Sequence, residues 1–288
     1  MPKSFLALSL NEMPASPVDF STFPGGEVYL KEIHFPPTVY VDRATIWAVI
    51  LDSDGFFALA QLKDYLDRNH IGRPRHVTLK LPYLPYARQD RVKPGVVANQ
   101  SLSLKVFCNM LNSLNFDEVI LTDPHSTVGP ALVNNAQVIT RAQIVGHRFR
   151  YGQSFKRFNP KTAVLVSPDA GALQATLDIA QALKVENPVL IGSKQRDMAT
   201  GNITGTALLS TQDTPPKSHY FVFDDICDGG RTFTELAKAI RHRDPKAASI
   251  NLYVTHGLFS KGKEELELHF DEIIAELDYT DVSKIRYA

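Results

Sequence analysis

Short apolar runs alternate with amphipathic stretches along most of this chain. Residues 77–81 (VTLKL) read as a strand, and residues 100–114 (QSLSLKVFCNMLNSL) place Leu104, Phe107, Cys108 and Leu111 on one face of a helix. Residues 119–122 read as the next strand. The rhythm returns in the second half, with strands predicted over 163–166, 189–191, 220–223 and 250–255 and helices over 170–183 and 233–243. Strands alternating with amphipathic helices predict an α/β protein whose mainly parallel sheets are flanked by helices. The basic stretch 151–161 (YGQSFKRFNPK) has no period, and it divides the chain into two expected domains, residues 1–146 and 147–288.

Composition narrows the picture. The 288 residues suit two domains at about 100–200 residues each. Lys+Arg and Asp+Glu both total 31, so the net charge is zero and a broad electrostatic footprint for nucleic acid is excluded. Cys108 and Cys227 lie too far apart in sequence to form a metal cluster alone; they read as reduced core thiols of a cytoplasmic protein. The start, MPKSFLALSL, runs directly into Asn11, Glu12 and Met13, without a long apolar core or a small-residue cleavage site. No stretch approaches the ~18 apolar residues of a membrane span, so a soluble protein without membrane contact is expected.

Ligands of such sheets gather beyond the carboxyl ends of the strands, and four strand-to-helix junctions carry unusual chemistry. Residues 220–233 read YFVFDDICDGGRTF. The turn Asp228, Gly229, Gly230, Arg231, Thr232 offers backbone N–H groups and a hydroxyl where a helix begins, which suits a phosphate. Asp224 and Asp225 end the strand, where carboxylates can accept hydrogen bonds from sugar hydroxyls. Adjacent carboxylates are expensive to bury without cations or donors. The bland alternative is a glycine turn with a helix cap.

Residues 81–91 read LPYLPYARQDR, and Pro82 and Pro85 exclude a helix. Arg88 can grip phosphate oxygens and Gln89 can read a base edge, although a solvated basic loop would look the same. Asp123 and His125 follow the strand at 119–122, and Asp169 follows the strand at 163–166 in the sequence SPDAG. An isolated histidine is more often structural, and Asp169 could simply hold a turn before a helix. Lys194 and Arg196 stand two apart in a Gly-, Thr- and Asn-rich loop over 189–205, a pattern that in isolation reads as solvated surface.

The DDICDGGRT string resembles the phosphoribosyl-diphosphate loop of type I phosphoribosyltransferases and ribose-phosphate pyrophosphokinases. PYARQDR is similar to the ATP segment of the pyrophosphokinases alone, and the resemblance extends in order from about Phe23 to Phe259. It implies two type I phosphoribosyltransferase-like domains and transfer of the β,γ-diphosphate of ATP to the 1-hydroxyl of ribose 5-phosphate, with Mg2+. In that likeness ATP meets Arg88, Gln89 and Asp90. It also meets the loop Phe23, Gly25, Glu27 (FPGGE) of a neighbouring subunit, so a homo-oligomer, dimer or hexamer, is implied. Gly25 stands where many members carry Asn or Asp.

By the same likeness ribose 5-phosphate meets Asp224, Asp225, Asp228, Gly229, Gly230, Arg231, Thr232 and Arg196. Mg2+ is held by His125 and Asp169, and Lys194 and Arg196 are the catalytic cations. Arg231 takes a position that is usually glycine. Residues 127–135 (TVGPALVNN) lack the Gln and Asp positions of members controlled by phosphate or ADP. The rival readings are a phosphoribosyltransferase and an inactive partner subunit that regulates a synthetase. A further stretch, residues 257–264 (GLFSKGKE), imitates a P-loop, but Glu264 replaces the required Ser or Thr.

Overall fold

A computed structural model describes residues 4–31, 33, 40–68, 73–92, 101–196, 203–209, 214, 218–281 and 285, with the backbone alone at 194–196 and 203–206. They form two compact units, one running to Ile139 and taking in Ile285 as well, the other spanning Thr140–Asp281.

The first unit contains β1 (Phe5–Leu10), β2 (Ser16–Pro17), β3 (Phe20–Thr22), β4 (Val28–Leu30) and β5 (Arg43–Val49). Then come α1 (Ser53–Arg68), β6 (His76–Leu81), α2 (Ser103–Asn112), β7 (Glu118–Thr122), α3 (Val128–Leu132) and β8 (Ala136–Ile139). The main sheet has the order β2-β1-β5-β6-β7-β8. Its four strands from β5 onward are parallel, and β1 pairs antiparallel with both β2 and β5. Each parallel step moves the same way, and right-handed crossovers then bring the helices to one face. There α1 buries Ala58, Leu59, Leu62 and Leu66, and α2 buries Leu104, Phe107, Cys108 and Leu111, the face the sequence periodicity selects. These side chains share a core with Leu6, Ile46, Leu79 and Leu121 from the strands. Each such leucine contributes roughly 1.5–3 kcal/mol by leaving water.

The second unit contains α4 (Arg141–Arg150), β9 (Ala163–Ser167), α5 (Leu173–Leu183), β10 (Leu190–Arg196) and β11 (Ile203–Leu209). Then come β12 (His219–Cys227), α6 (Arg231–Arg243), β13 (Ser249–Gly257), α7 (Glu264–Glu267) and β14 (Glu272–Asp278). Its sheet has the order β11-β10-β9-β12-β13-β14, parallel except for the β10–β11 pair. Cores lie on both faces: Val164, Val222, Leu236 and Ile240 on one, and Val145, Leu165, Ile179 and Phe221 on the other. The division expected at 146/147 falls inside α4, because Val145 of that helix is buried in the second unit's core. The units therefore part just before α4.

Winding in this second sheet reverses between β9 and β12. From β9 the chain proceeds outward to β10, whereas β12, β13 and β14 progress the other way. Such a reversal opens a crevice at the strands' carboxyl ends; Asp169 follows β9, and Asp224 and Asp225 lie in the C-terminal half of β12.

Candidate active site

The first unit carries the nucleotide-segment residues on the β3–β4 turn and on the loops after the neighbouring strands β6 and β7. The FPGGE loop is the turn of the β3–β4 ribbon: the Phe23 N–H donates to the Glu27 carbonyl at 2.8 Å, and Gly26 N–H to the Phe23 carbonyl at 2.9 Å. Gly26, at φ +95°, is the glycine this turn requires, and Gly25 is not. Phe23 stacks on Tyr29 at 4.2 Å between ring centroids yet stays 51% exposed at the tip.

Beyond β6 the chain turns sharply at residues 85–88, with Tyr86 left-handed at φ +61°. Beyond β7, Asp123 is left-handed at φ +41°. Such conformations cost a non-glycine residue about 1–3 kcal/mol and cluster where a site over-determines the backbone. Arg88, Gln89 and His125 are exposed, whereas Asp90 is buried. The Asp90 carboxylate accepts two hydrogen bonds from the Arg91 guanidinium, at 2.9 and 3.0 Å. Those bonds, with smaller help from the Ser126 hydroxyl and His125, hold its pKa down at about 2 against the opposing effect of burial. Asp90 thereby joins the loop carrying Arg88 and Gln89 to the loop carrying His125. The two are close-packed elsewhere as well, since a Cβ on Gly129 would lie 2.5 Å from Leu84.

A depressed carboxylate stabilises the fold above the ordinary carboxylate range, and that contribution fades as pH falls toward its folded value. The Asp90→Asn variant is therefore expected to be less stable than the parent at pH 7. The gap between their thermal midpoints should narrow below about pH 4.

The second unit carries the sugar-phosphate residues. Asp224 and Asp225, expected to end the strand, lie within the C-terminal half of β12, which runs on to Cys227, and Asp225 N–H donates to Asp224 Oδ1 at 3.0 Å. Burial, and then the Asp225 carboxylate beside it, push Asp224 well above the usual carboxylate range, while Arg141 pulls it back. The Arg141 guanidinium lies 3.7 Å from Oδ1 of each aspartate. Arg141 is the first residue of α4, behind a capping box in which Thr140 and Gln143 exchange hydrogen bonds. A cation opposes the helix dipole there, and this one is only 6% exposed. The carboxylates account for its position.

After β12 the chain turns at Asp228–Gly230 into α6. Gly230 holds φ +77° as the residue before the helix, so glycine is required there. Arg231 and Thr232 form the helix's first turn, where backbone N–H groups lack partners within the helix. Cys227, just upstream, has its thiol pushed by burial to about 12, which removes it as a thiolate nucleophile.

Asp169 follows β9. Its Oδ1 accepts from the N–H groups of Gly171 and Ala172, at 3.0 and 3.3 Å, so it turns the chain into α5. Among the described residues no group of three or more His, Cys, Asp or Glu side chains could hold a metal alone.

Lys194 and Arg196, expected on a loop, have backbone in β10, which pairs antiparallel with β11. Lys194 lies opposite Thr206, and the register shifts between Gln195 and Arg196. Residues 197–202 of the expected loop lie outside the described residues. Gly192 seats this strand against the Asp169 turn: a Cβ there would lie 2.6 Å from the Pro168 carbonyl oxygen and 2.9 Å from Leu236. Gly192→Ala is expected to lower the unfolding free energy by about 1–3 kcal/mol, as overpacking against backbone does, measured by urea denaturation.

Sequence reasoning missed Arg141. A readable signal was present, namely an arginine directly behind a Thr-x-x-Gln capping pattern, where the dipole disfavours it.

The fold and the acidic and glycine junctions of the second unit define a protein of the phosphoribosyltransferase-like α/β class. The Phosphoribosyl transferase domain family matches residues 144–281. A ribose-phosphate pyrophosphokinase of Mycoplasma pneumoniae is 27% identical over 94% of this chain and 77% of its own length. One of Hyphomonas neptunium is 24% identical over 77% of this chain, and the match spans 66% of that relative. In fold the chain is similar to the crystal structure of phosphoribosylpyrophosphate synthetase from Mycobacterium smegmatis, with a TM-score of 0.66 at 17% identity, covering 88% of this chain and 77% of that one. The chain is thus similar along most of its length to ribose-phosphate pyrophosphokinases.

Proposed function

We propose that the protein transfers the β,γ-diphosphate of ATP to the 1-hydroxyl of ribose 5-phosphate, giving 5-phosphoribosyl 1-diphosphate and AMP. The observation that carries this reading is the C-terminal half of β12, where an acidic pair beside Arg141 precedes by a few residues a glycine turn and a helix start. In this reading the sugar's phosphate rests on Asp228–Thr232, and its 2- and 3-hydroxyls donate to Asp224 and Asp225. Arg141 keeps both carboxylates aimed and supplies the positive charge they need while buried.

ATP lies along Arg88 and Gln89, anchored by the turn that Asp90 ties down. Phe23 and Glu27 meet its adenine from a second copy of the chain, so the active form is a homo-oligomer. The O1 oxygen attacks the β-phosphorus as the bond from that phosphorus to the α-phosphate oxygen breaks; AMP departs and the hydroxyl proton leaves to water. Lys194 and Arg196 stabilise the charge that spreads over the transferring group. By the family likeness His125 and Asp169 are the residues that would meet a Mg2+, and the ion would supply charge neutralisation on the nucleotide. Positioning and electrostatics account for the acceleration, with no covalent intermediate.

The test is direct. Purified protein with ATP, Mg2+ and ribose 5-phosphate is expected to release AMP and phosphoribosyl diphosphate in equal amounts. Release of ADP would identify an ordinary kinase, and absence of nucleotide turnover would favour a regulatory partner subunit.

A further inference from the structure

The stretch that imitates a P-loop, residues 257–264, lies against the glycine turn of the second unit. It leaves β13 at Gly257, and the N–H groups of Leu258 and Phe259 both donate to the Cys227 carbonyl, at 2.8 and 3.1 Å. Ser260 Oγ donates to Asp228 Oδ1 at 2.5 Å. The Gly262 N–H returns to the Phe259 carbonyl at 2.9 Å, with Gly262 at φ +77°, closing a tight turn that has Ser260 and Lys261 at its tip. The loop is thus tied to the end of β12 and to the first residue of the candidate phosphate turn.

Lys261 completes the arrangement. Its Cδ, Cε and Cγ lie 3.6, 3.7 and 3.9 Å from the place a Cβ on Gly229 would occupy. Gly229, unlike Gly230, is not left-handed, so its backbone does not require glycine. A Cβ there would therefore sit in ordinary van der Waals contact with the methylenes of Lys261, which lie over Gly229. The next lysine is committed elsewhere: Lys263 pairs with Asp278 and sits over the Phe259 ring. Lys261 is exposed and has no ion pair or side-chain hydrogen bond among the described residues.

We propose that Lys261 is a further binding residue of this site, laying its ammonium on the phosphate of the sugar phosphomonoester held by Asp228–Thr232. This rests on the reading of that turn as a phosphate site and adds to it a point charge from a separate loop. Lysine suits the role, because a flexible stem lets a compact charge meet any face of a phosphate. The loop anchor explains why its stem lies across the turn and not out in water, since Ser260 and the two N–H groups bound to Cys227 fix the direction of approach.

Steady-state kinetics separate this inference from the reading beneath it. With ribose 5-phosphate and ATP varied in turn, Lys261→Ala is expected to raise KM for ribose 5-phosphate about tenfold, the scale of one hydrogen bond to a charged group. Turnover, KM for ATP and the thermal midpoint should stay within twofold or unshifted, and Lys261→Arg should restore most of the affinity. Gly229→Val, which displaces the lysine stem, should raise the same KM. If the parent protein is active and Lys261→Ala leaves that KM unchanged, or raises both KM values equally, the assignment of Lys261 is overturned while the phosphate turn stands. If the parent neither turns over ribose 5-phosphate nor binds it by calorimetry, the turn's reading falls and Lys261's role with it.

Discussion

Lys194→Ala is expected to lower turnover roughly 10²–10³-fold, the scale for removing one preorganised charge-stabilising group. Diphosphate transfer builds negative charge on the bridging oxygen and on the group in flight, and little covalent chemistry is left for the protein to supply. Losing a cation that acts on that charge lowers kcat, while affinity for either substrate in the ground state changes little. Position 194 lies on a paired strand, opposite Thr206, so a change there should leave the backbone in place. The measurement is kcat at saturating ATP and ribose 5-phosphate, with the thermal midpoint as a check on folding. A fully active Lys194→Ala enzyme would remove the residue from the chemistry.

Arg141→Leu should have the largest effect on stability. It leaves Asp224 and Asp225 adjacent and buried without the guanidinium 3.7 Å from each. Removing one partner from a buried ion pair typically costs 3–5 kcal/mol, because the remaining charge is uncompensated, and a deficit of about that size is expected in urea denaturation at pH 7.5. The sign with pH follows from Asp224, already raised by burial and by Asp225. A carboxylate raised in the folded state favours folding more as pH falls through its folded value. The variant's deficit should therefore shrink at pH 5.5. Arg141→Lys should recover part of the stability, and an unchanged unfolding free energy in Arg141→Leu would show that the carboxylates do not depend on this cation.

Much of the fold could be read from periodicity, and the reasons are local. β12 and α6 announce themselves because an apolar run ends at two aspartates and a glycine turn, then resumes with a period of 3.6. α2 buries the four side chains its spacing selects. β5 was less legible: in RATIWAV, apolar residues occupy both faces, so no clean alternation signals a strand. The β10–β11 hairpin escaped because Gly, Thr and Asn favour loops, and antiparallel pairing overrode that preference.

The site was legible where chemistry is concentrated in one short segment, as at Asp224 to Thr232. It was illegible where the partner comes from another element. Arg141 reaches the aspartates from α4, and Lys261 reaches Gly229 from the loop after β13; neither pairing has a spacing that sequence can reveal. His125 and Asp90 are of the same kind, joined only because β6 and β7 are neighbours in the sheet.

The reversal of winding also bears on how the chain is made. β9 is an apolar strand with all five residues buried, and its neighbour β12 arrives only after α5 and the β10–β11 hairpin have been synthesised. Until then one side of β9 is an unpaired edge, the kind of surface that recruits strands from other molecules. A polypeptide interrupted between β11 and β12 should accordingly clump with its own kind during translation. The acidic pair within β12 comes into place only as that edge is sealed.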